Sequence, residues 1–334
     1  PAGIEAAENS ILAGTDDRLF VRQLTNLITG RTPQGGSVVL TIDPALQTAA
    51  YQALAGRKGA VVAVDPSTGA ILALVTSPSY DPNVLSSHDD TSITANWKQL
   101  IADPNNPMLD RALSETYPPG STFKPVTAIA AMQEHMLSPY SYLPCTPTYS
   151  APEDRSHRTF HNWDPNVDQA MDLPTAMAYS CDTYFYKVGN TFYQLPADRG
   201  QPLQKWAAEF GFGQATNVDV GPEASGLLPT TPWKHRRYTA ATDPGHWQVD
   251  RLWKPGDSIE LAVGQGDLLV TPLQMARFYA VLANGGKLVT PHLLDDVESP
   301  NGARVPVPAE PAPKPLTNLD PAALQVVQKG LWEG

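Results

Sequence analysis

Basic residues, cysteine and long apolar runs are all scarce in this chain of 334 residues. Its 23 Lys and Arg face 34 Asp and Glu, for a formal charge of −11. Such an excess of acid argues against a nucleic-acid partner, which requires clustered cations. No apolar stretch approaches the roughly 18 residues needed to span a bilayer. The 2 Cys cannot build a disulfide framework; they allow one bridge, two free thiols or half of a metal site. Pro (33) and Gly (24) together stay below the roughly one quarter of residues that marks low-complexity disorder. No internal repeat is visible. What remains is a globular chain, 42% hydrophobic, long enough for about two domains or for one large α/β domain with an appendage. Because it begins with Pro rather than Met, it reads as an excised segment whose localisation must come from its chemistry.

Residues 1–36 are mostly polar, with one amphipathic run around Leu19, Phe20, Leu24, Leu27 and Ile28, and close on the breaker Pro33-Gln34-Gly35-Gly36. A run that buries one face only is expected to be the remnant of a linker or of an upstream domain. Beyond it Val38 to Ile42 reads as a strand, and Asp43-Pro44 caps a short helix through Leu54. Ala60 to Val64 and Ala70 to Val75 flank the turn Asp65-Pro66-Ser67-Thr68-Gly69, a hairpin of nearly all-apolar strands that expects helices on both faces. Ser121 to Met132 is apolar all round and therefore central, and Pro125 requires a helix start near Ser121. Residues 145–170 read as loop, followed by helices over Leu173 to Ala178 and Thr183 to Phe192. Thr271 to Asn284 is a further helix ended by Gly285-Gly286, with strand-like Lys287 to Val289 after it. The proline-rich stretch 306–315 reads as an extended loop, and a last helix starts at the Asp320-Pro321 cap.

A lone Ser-x-x-Lys is common, and its bland reading is two exposed polar residues one helical turn apart. Ser121 and Lys124, however, share one face at i and i+3 and open a helix that is otherwise fit for a core. Burial lowers a lysine pKa by disfavouring the charged form, and a neutral amine beside a hydroxyl is the base that a serine nucleophile requires. The N-terminus of such a helix also offers N–H groups and a positive dipole end where an acyl oxyanion forms. The second constellation is Ala178-Tyr179-Ser180-Cys181-Asp182-Thr183, whose bland reading is a helix N-cap.

Taken together, Pro118-Pro-Gly-Ser-Thr-Phe-Lys-Pro125, Ser180-Cys-Asp-Thr-Tyr-Phe-Tyr186, Gly264-Gln-Gly266 followed by Thr271-Pro-Leu-Gln-Met275, and Asn284-Gly-Gly286 resemble a class B penicillin-binding protein. The Ser-x-Asp form resembles the elongation-type members. The resemblance covers residues 37–334, expected to be a transpeptidase domain, with residues 1–36 a remnant of the linker or pedestal before it. It implies an α/β (α+β) fold of the penicillin-recognising serine-enzyme and β-lactamase type: an antiparallel sheet flanked by helices, plus an all-helical subdomain.

The resemblance further implies a D,D-transpeptidase that cross-links peptidoglycan stem peptides ending in D-Ala-D-Ala and is acylated by β-lactams. It would act at the extracytoplasmic face of the cell membrane, its anchor absent from this chain, beside a membrane glycosyltransferase of the elongation machinery. No cofactor is required for catalysis. Carried over residue by residue, Ser121 is the acylated nucleophile, Lys124 its base and Ser180 the proton relay to the leaving nitrogen. Asp182 stands where an Asn is usual. An anion there raises the Lys124 pKa against burial, unless it points away, is protonated or is offset by other cations, so its role is taken as positional. No Lys-Thr-Gly occurs in these residues. The family places that strand after a helix like the one from Asp320, so the domain is expected to be incomplete at its C-terminus and, alone, slow to acylate.

Cys145 and Cys181 are open to a disulfide, to free thiols or to a structural zinc. The metal reading takes Cys145, His161, Asp168 and Cys181 as a tetrahedral set, with His157 and Asp172 as spares. Some elongation-type members resemble it, with zinc ligands drawn from this loop. Two rival functions share the fold. A serine β-lactamase needs a deacylating base, for which no convincing Glu-x-x-Leu-Asn type segment is found. A non-catalytic β-lactam-sensing domain acylates without turnover.

Overall fold

A computed structural model describes residues 3–16, 35–86, 89–305 and 311–334. The amphipathic run around Leu19 to Ile28 and residues 306–310 of the proline-rich stretch lie outside them. In chain order the elements that position the site begin with Ser37–Leu40 (β1), Pro44–Leu54 (α1), Gly59–Val64 (β2), Ile71–Ser77 (β3) and Lys124–Gln133 (α2). Next come Leu143–Cys145 (β4), Thr148–Tyr149 (β5), Phe160–His161 (β6), Gln169–Met171 (β7), Leu173–Ala178 (α3) and Asp182–Tyr193 (α4). Pro202–Glu209 (α5), Pro255–Ala262 (α6), Pro272–Ala283 (α7) and Lys287–Leu288 (β8) follow. Leu294–Glu298 (β9), Arg304–Val305 (β10), Lys314–Pro315 (β11) and Pro321–Glu333 (α8) complete the series.

The β2–β3 hairpin forms where its turn chemistry puts it. Asp65 Oδ1 accepts from Ser67 N at 2.7 Å and Ser67 Oγ at 2.6 Å, bonds that hold its carboxyl below the usual carboxylate pKa. Gly69 takes φ +92, where a Cβ would run into Thr290 O. Alternate residues of β2 then divide between two apolar clusters, Val61 and Ala63 with Ala50 and Leu54 of α1, Ala60 and Val62 with Leu273 of α7. Helices therefore cover both faces, as the apolar strands require. Yet every β2 residue is only half-buried, because it is an outer strand of a two-stranded ladder.

The expected antiparallel sheet is divided among the described residues. β1, β9 and β10 form one antiparallel ladder and the hairpin another, with an isolated bridge at Ala70 and His292 between them. Thr41 makes the transition: its N–H bonds Leu293 O, and its hydroxyl bonds Ile71 O at 2.7 Å and His292 O at 3.2 Å. Residues 145–170, expected to be loop, carry two short antiparallel pairs, β4 with β7 and β5 with β6.

The main core surrounds α2, whose residues Lys124 to Ala131 are all buried, and draws on α3, α4, α5, α6, α7 and α8. The α-helix begins at Lys124, three residues later than expected, after a 3₁₀ turn over Gly120–Phe123. Pro125 explains the delay. It has no N–H to give to the Ser121 carbonyl, so Lys124 N takes that acceptor in a tighter i to i+3 bond.

Helices α4 and α6 cross at Gly189. A Cβ there would meet Ser258 O at 2.7 Å and Ala262 Cβ at 2.8 Å. Gly189→Ala gains about 1 kcal/mol of helix propensity but forces two packed backbones apart at about 1–3 kcal/mol. A lowered urea-unfolding midpoint is expected. A raised midpoint would show that the crossing yields freely.

Candidate active site

The four residues named for catalysis come from two places in the chain, the turn entering α2 and the junction of α3 with α4. Gly120 takes φ +58, and its N–H bonds Gly264 O at 2.8 Å. Gly264 in turn lies so close that a Cβ would sit 2.2 Å from Gly120 O. That approach accounts for the first glycine of the Gly264-Gln265-Gly266 motif: it backs the turn that presents Ser121. Thr122 Oγ1 donates to Pro119 O at 2.6 Å, and Tyr279 OH to Thr122 O at 3.2 Å, fixing the turn from both sides. Ser121 is exposed, and its hydroxyl has no hydrogen-bond partner among the described residues.

Lys124 is buried, 2% exposed, and all three of its ammonium protons have acceptors. Nζ donates to Ser180 O at 2.7 Å, Ser180 Oγ at 3.1 Å and Asp182 Oδ1 at 2.6 Å, and it lies 5.6 Å from the centre of the Phe185 ring. Among the described residues none of these bonds runs to Ser121. Burial pushes the Lys124 pKa below the ordinary lysine value and the Asp182 charge opposes it, with burial the larger effect. Asp182 thus points at the lysine, which removes one of the ways in which an anion at this position was reconciled with a buried base.

Ser180 owes its place to how α3 ends. Ser180 N bonds Met177 O and Cys181 N bonds Ala176 O, a Schellman closure that demands a left-handed residue at Ser180, where φ is +50. Glycine is the usual occupant, and a serine there costs roughly 1–2 kcal/mol. The strain is kept with the hydroxyl held against Lys124. The α4 cap is not Ser180 but Cys181, whose sulfur accepts from Tyr184 N at 3.3 Å.

Two residues that sequence reasoning did not single out for catalysis complete the arrangement. Asn162, buried, accepts from Asp182 N at 2.9 Å through Oδ1. Trp163 N donates to Asp182 Oδ2 at 3.1 Å, while its indole Nε1 bonds Tyr179 O at 3.1 Å. Asp182 is therefore shared between the lysine and the loop before it. Its charge is felt as far as Tyr186, which burial, and then Asp182, push up to about 12. No local pattern marks Asn162 or Trp163, because their roles arise from the approach of a segment some twenty residues away.

The cysteines are joined: Cys145 and Cys181 form a disulfide across 36 residues. This corrects the zinc reading of Cys145, His161, Asp168 and Cys181. Disulfide sulfurs have no thiolate to offer a metal. His161 and Asp168 are exposed, and the spare Asp172 is occupied as the cap of α3, accepting from Thr175 N. Among the described residues the one group whose ligand atoms approach one another is Asp243, His246 and Asp250, outside this loop.

The disulfide ties the loop carrying Asn162 and Trp163 to the residue between Ser180 and Asp182. Replacing both cysteines by Ser is expected to cost roughly 2–4 kcal/mol by the chain-entropy estimate and to slow acylation by a fluorescent penicillin at the same time. Melting and labelling that both match the parent protein would show that the crosslink does not hold the site.

The profile described as Penicillin binding protein transpeptidase domain matches residues 59–332, and that described as Penicillin binding protein A dimerisation domain matches residues 1–38. The peptidoglycan D,D-transpeptidase PbpA of Mycolicibacterium smegmatis is 37% identical over 344 residues, covering 98% of this chain and 64% of the relative. The peptidoglycan D,D-transpeptidase MrdA of Haemophilus influenzae is 36% identical over 299 residues, 89% of this chain and 42% of the relative. The chain thus spans less than two thirds of either. Among solved structures, penicillin-binding protein A from M. tuberculosis in its imipenem acyl-enzyme complex superposes with a TM-score of 0.82 at 31% identity, over 99% of this chain and 70% of that one. With the serine-lysine turn, the Ser-x-Asp junction and this extent of likeness, the chain belongs to the penicillin-binding protein transpeptidase family, class B and elongation type, on the penicillin-recognising α/β fold.

Proposed function

We propose that the protein is a D,D-transpeptidase that cross-links peptidoglycan stem peptides ending in D-Ala-D-Ala through an acyl-enzyme on Ser121, the serine that β-lactams would also acylate. The observation that carries this reading is Lys124, buried at the root of the Ser121 turn and bonded to Ser180 Oγ and Asp182. Ser121 Oγ, exposed, attacks the carbonyl of the penultimate D-alanine. Its proton passes to Lys124, which must first lose one of the three protons now held by Ser180 and Asp182. Burial favours that loss. Ser180, in contact with the lysine, returns the proton to the leaving D-alanine nitrogen, and an acceptor amine reverses the sequence to form the crosslink. Asp182 orients Lys124 and Ser180 rather than taking the proton itself. These steps draw on side chains alone.

The same reading takes residues 37–334 as the transpeptidase domain and residues 1–36 as belonging to the linker or pedestal region before it. It puts the enzyme at the extracytoplasmic face of the membrane beside a glycosyltransferase. The family type supports this, as does the disulfide, a bond that persists in oxidising compartments. Among the described residues no helix is long and apolar enough to cross a membrane.

Intact mass of the full-length protein after treatment with a labelled penicillin tests the proposal. A stable adduct on Ser121 is expected, absent in Ser121→Ala and formed about 10²–10⁴-fold more slowly in Lys124→Met. An adduct on another residue, or rapid hydrolysis of the label, would overturn it. Release of D-alanine from a D-Ala-D-Ala peptide then separates an enzyme from a sensor.

A further inference from the structure

On the side of α7 that carries Arg277 lies a polar cavity of about 480 Å³, between the end of α5, the loop after it and the β8–β11 pair. Arg277 lines it and is 8% exposed. Of the five N–H donors of its guanidinium, Nε is bonded, to Val289 O at 2.8 Å; the others have no acceptor among the described residues. No carboxylate there lies within ion-pair distance of it. Glu223 is near enough to oppose the lowering of its pKa by burial, but both Glu223 oxygens are engaged, by Thr216 N and Asn217 N. Gly211 sharpens the picture. At φ +95 it keeps open the space beside Nη1, where a Cβ would lie 3.0 Å away. The guanidinium thus keeps its charge on a largely buried side chain whose remaining donors open on the cavity, and arginine does not escape by losing its proton.

Lys314, exposed on β11, stands on the lining of the same cavity without an ion-pair partner among the described residues. Asn217 lines it too, its side-chain amide equally without a partner. The wall also carries the carboxylate of Glu209, which is exposed and joins neither cation. A guanidinium fork, an ammonium and an amide together match a tetrahedral oxyanion of nearly two charges better than a carboxylate, whose two oxygens and single charge would leave donors unmet.

We propose that this cavity is a phosphate-class anion site, with Arg277 as its buried anchor and Lys314 as its outer cation, separate from the Ser121 centre. The phosphoryl group is either free or carried on a lipid headgroup. When it is bound, the Arg277 charge gains the partner that the fold withholds.

Thermal unfolding of the full-length protein, titrated with inorganic phosphate at constant ionic strength set by chloride, tests this. A saturable rise in Tm is expected. Lys314→Ala, at an exposed position, should weaken the apparent affinity roughly tenfold, the loss of one charge-assisted contact. Arg277→Gln should abolish the rise, read against its own Tm without phosphate because the substitution also takes the donor from Val289 O. Co-sedimentation with phosphatidic acid vesicles that is lost in Arg277→Gln identifies the lipid headgroup as the source; its absence alongside phosphate stabilisation identifies the free anion. A Tm that phosphate does not move, or moves equally in Arg277→Gln, would overturn the site.

Discussion

The ion pair between Lys124 and Asp182 is the constraint around which the rest of the site is arranged. An ammonium 2% exposed cannot be held by Coulomb attraction alone, since the desolvation of two ions commonly rivals what their attraction returns. It is held because every one of its protons is used and every oxygen of its partner is used as well. Asp182 gives one oxygen to Lys124 and the other to Trp163 N, while its own N–H goes to Asn162. The helix bearing the lysine, the junction bearing Ser180 and the disulfide-tied loop thus meet at one carboxylate. Move any of them and a buried charge loses a ligand.

Two local sacrifices make that meeting possible. Ser180 occupies a left-handed position that glycine would fill without strain, and Pro125 turns the start of α2 into a 3₁₀ turn that leaves Ser121 outside the buried part of the helix. Both put a serine hydroxyl where stability alone would not. The surrounding packing absorbs the cost: α2 is enclosed on every side, and Gly264 lets the loop behind it close to backbone contact.

How far the sequence speaks for this architecture depends on the range of each interaction. The hairpin of β2 and β3, helix α7 and the Asp320-Pro321 cap could be read because their signals are local: an apolar run, an Asp before Pro, a pair of glycines after a periodic stretch. Ser121, Lys124, Ser180 and Asp182 could be named because two short motifs carry them. Trp163 and Asn162 could not, since nothing near them in sequence tells that Asp182 will arrive. The direction of the Asp182 carboxylate was equally hidden. A burial argument and a charge argument pulled the Lys124 pKa opposite ways, and the outcome rests on distances in the folded chain. For Cys145 and Cys181, a bridge, a metal and free thiols are all open from the residues alone, and the choice depends on the β4–β7 and β5–β6 pairs that bring the loop back onto α4.

The role of Asp182 is tested most directly by the pH dependence of acylation in the parent protein and in Asp182→Asn, which keeps the shape of the side chain but removes its charge and one of its two acceptor oxygens. Burial lowers the Lys124 pKa and Asp182 raises it, so removing the anion must lower it further. Acylation should rise with pH as Lys124 becomes neutral, and in Asp182→Asn that rise should move to lower pH. A rise that stays in place, or moves to higher pH, would contradict the claim that Asp182 sets the protonation of the buried base.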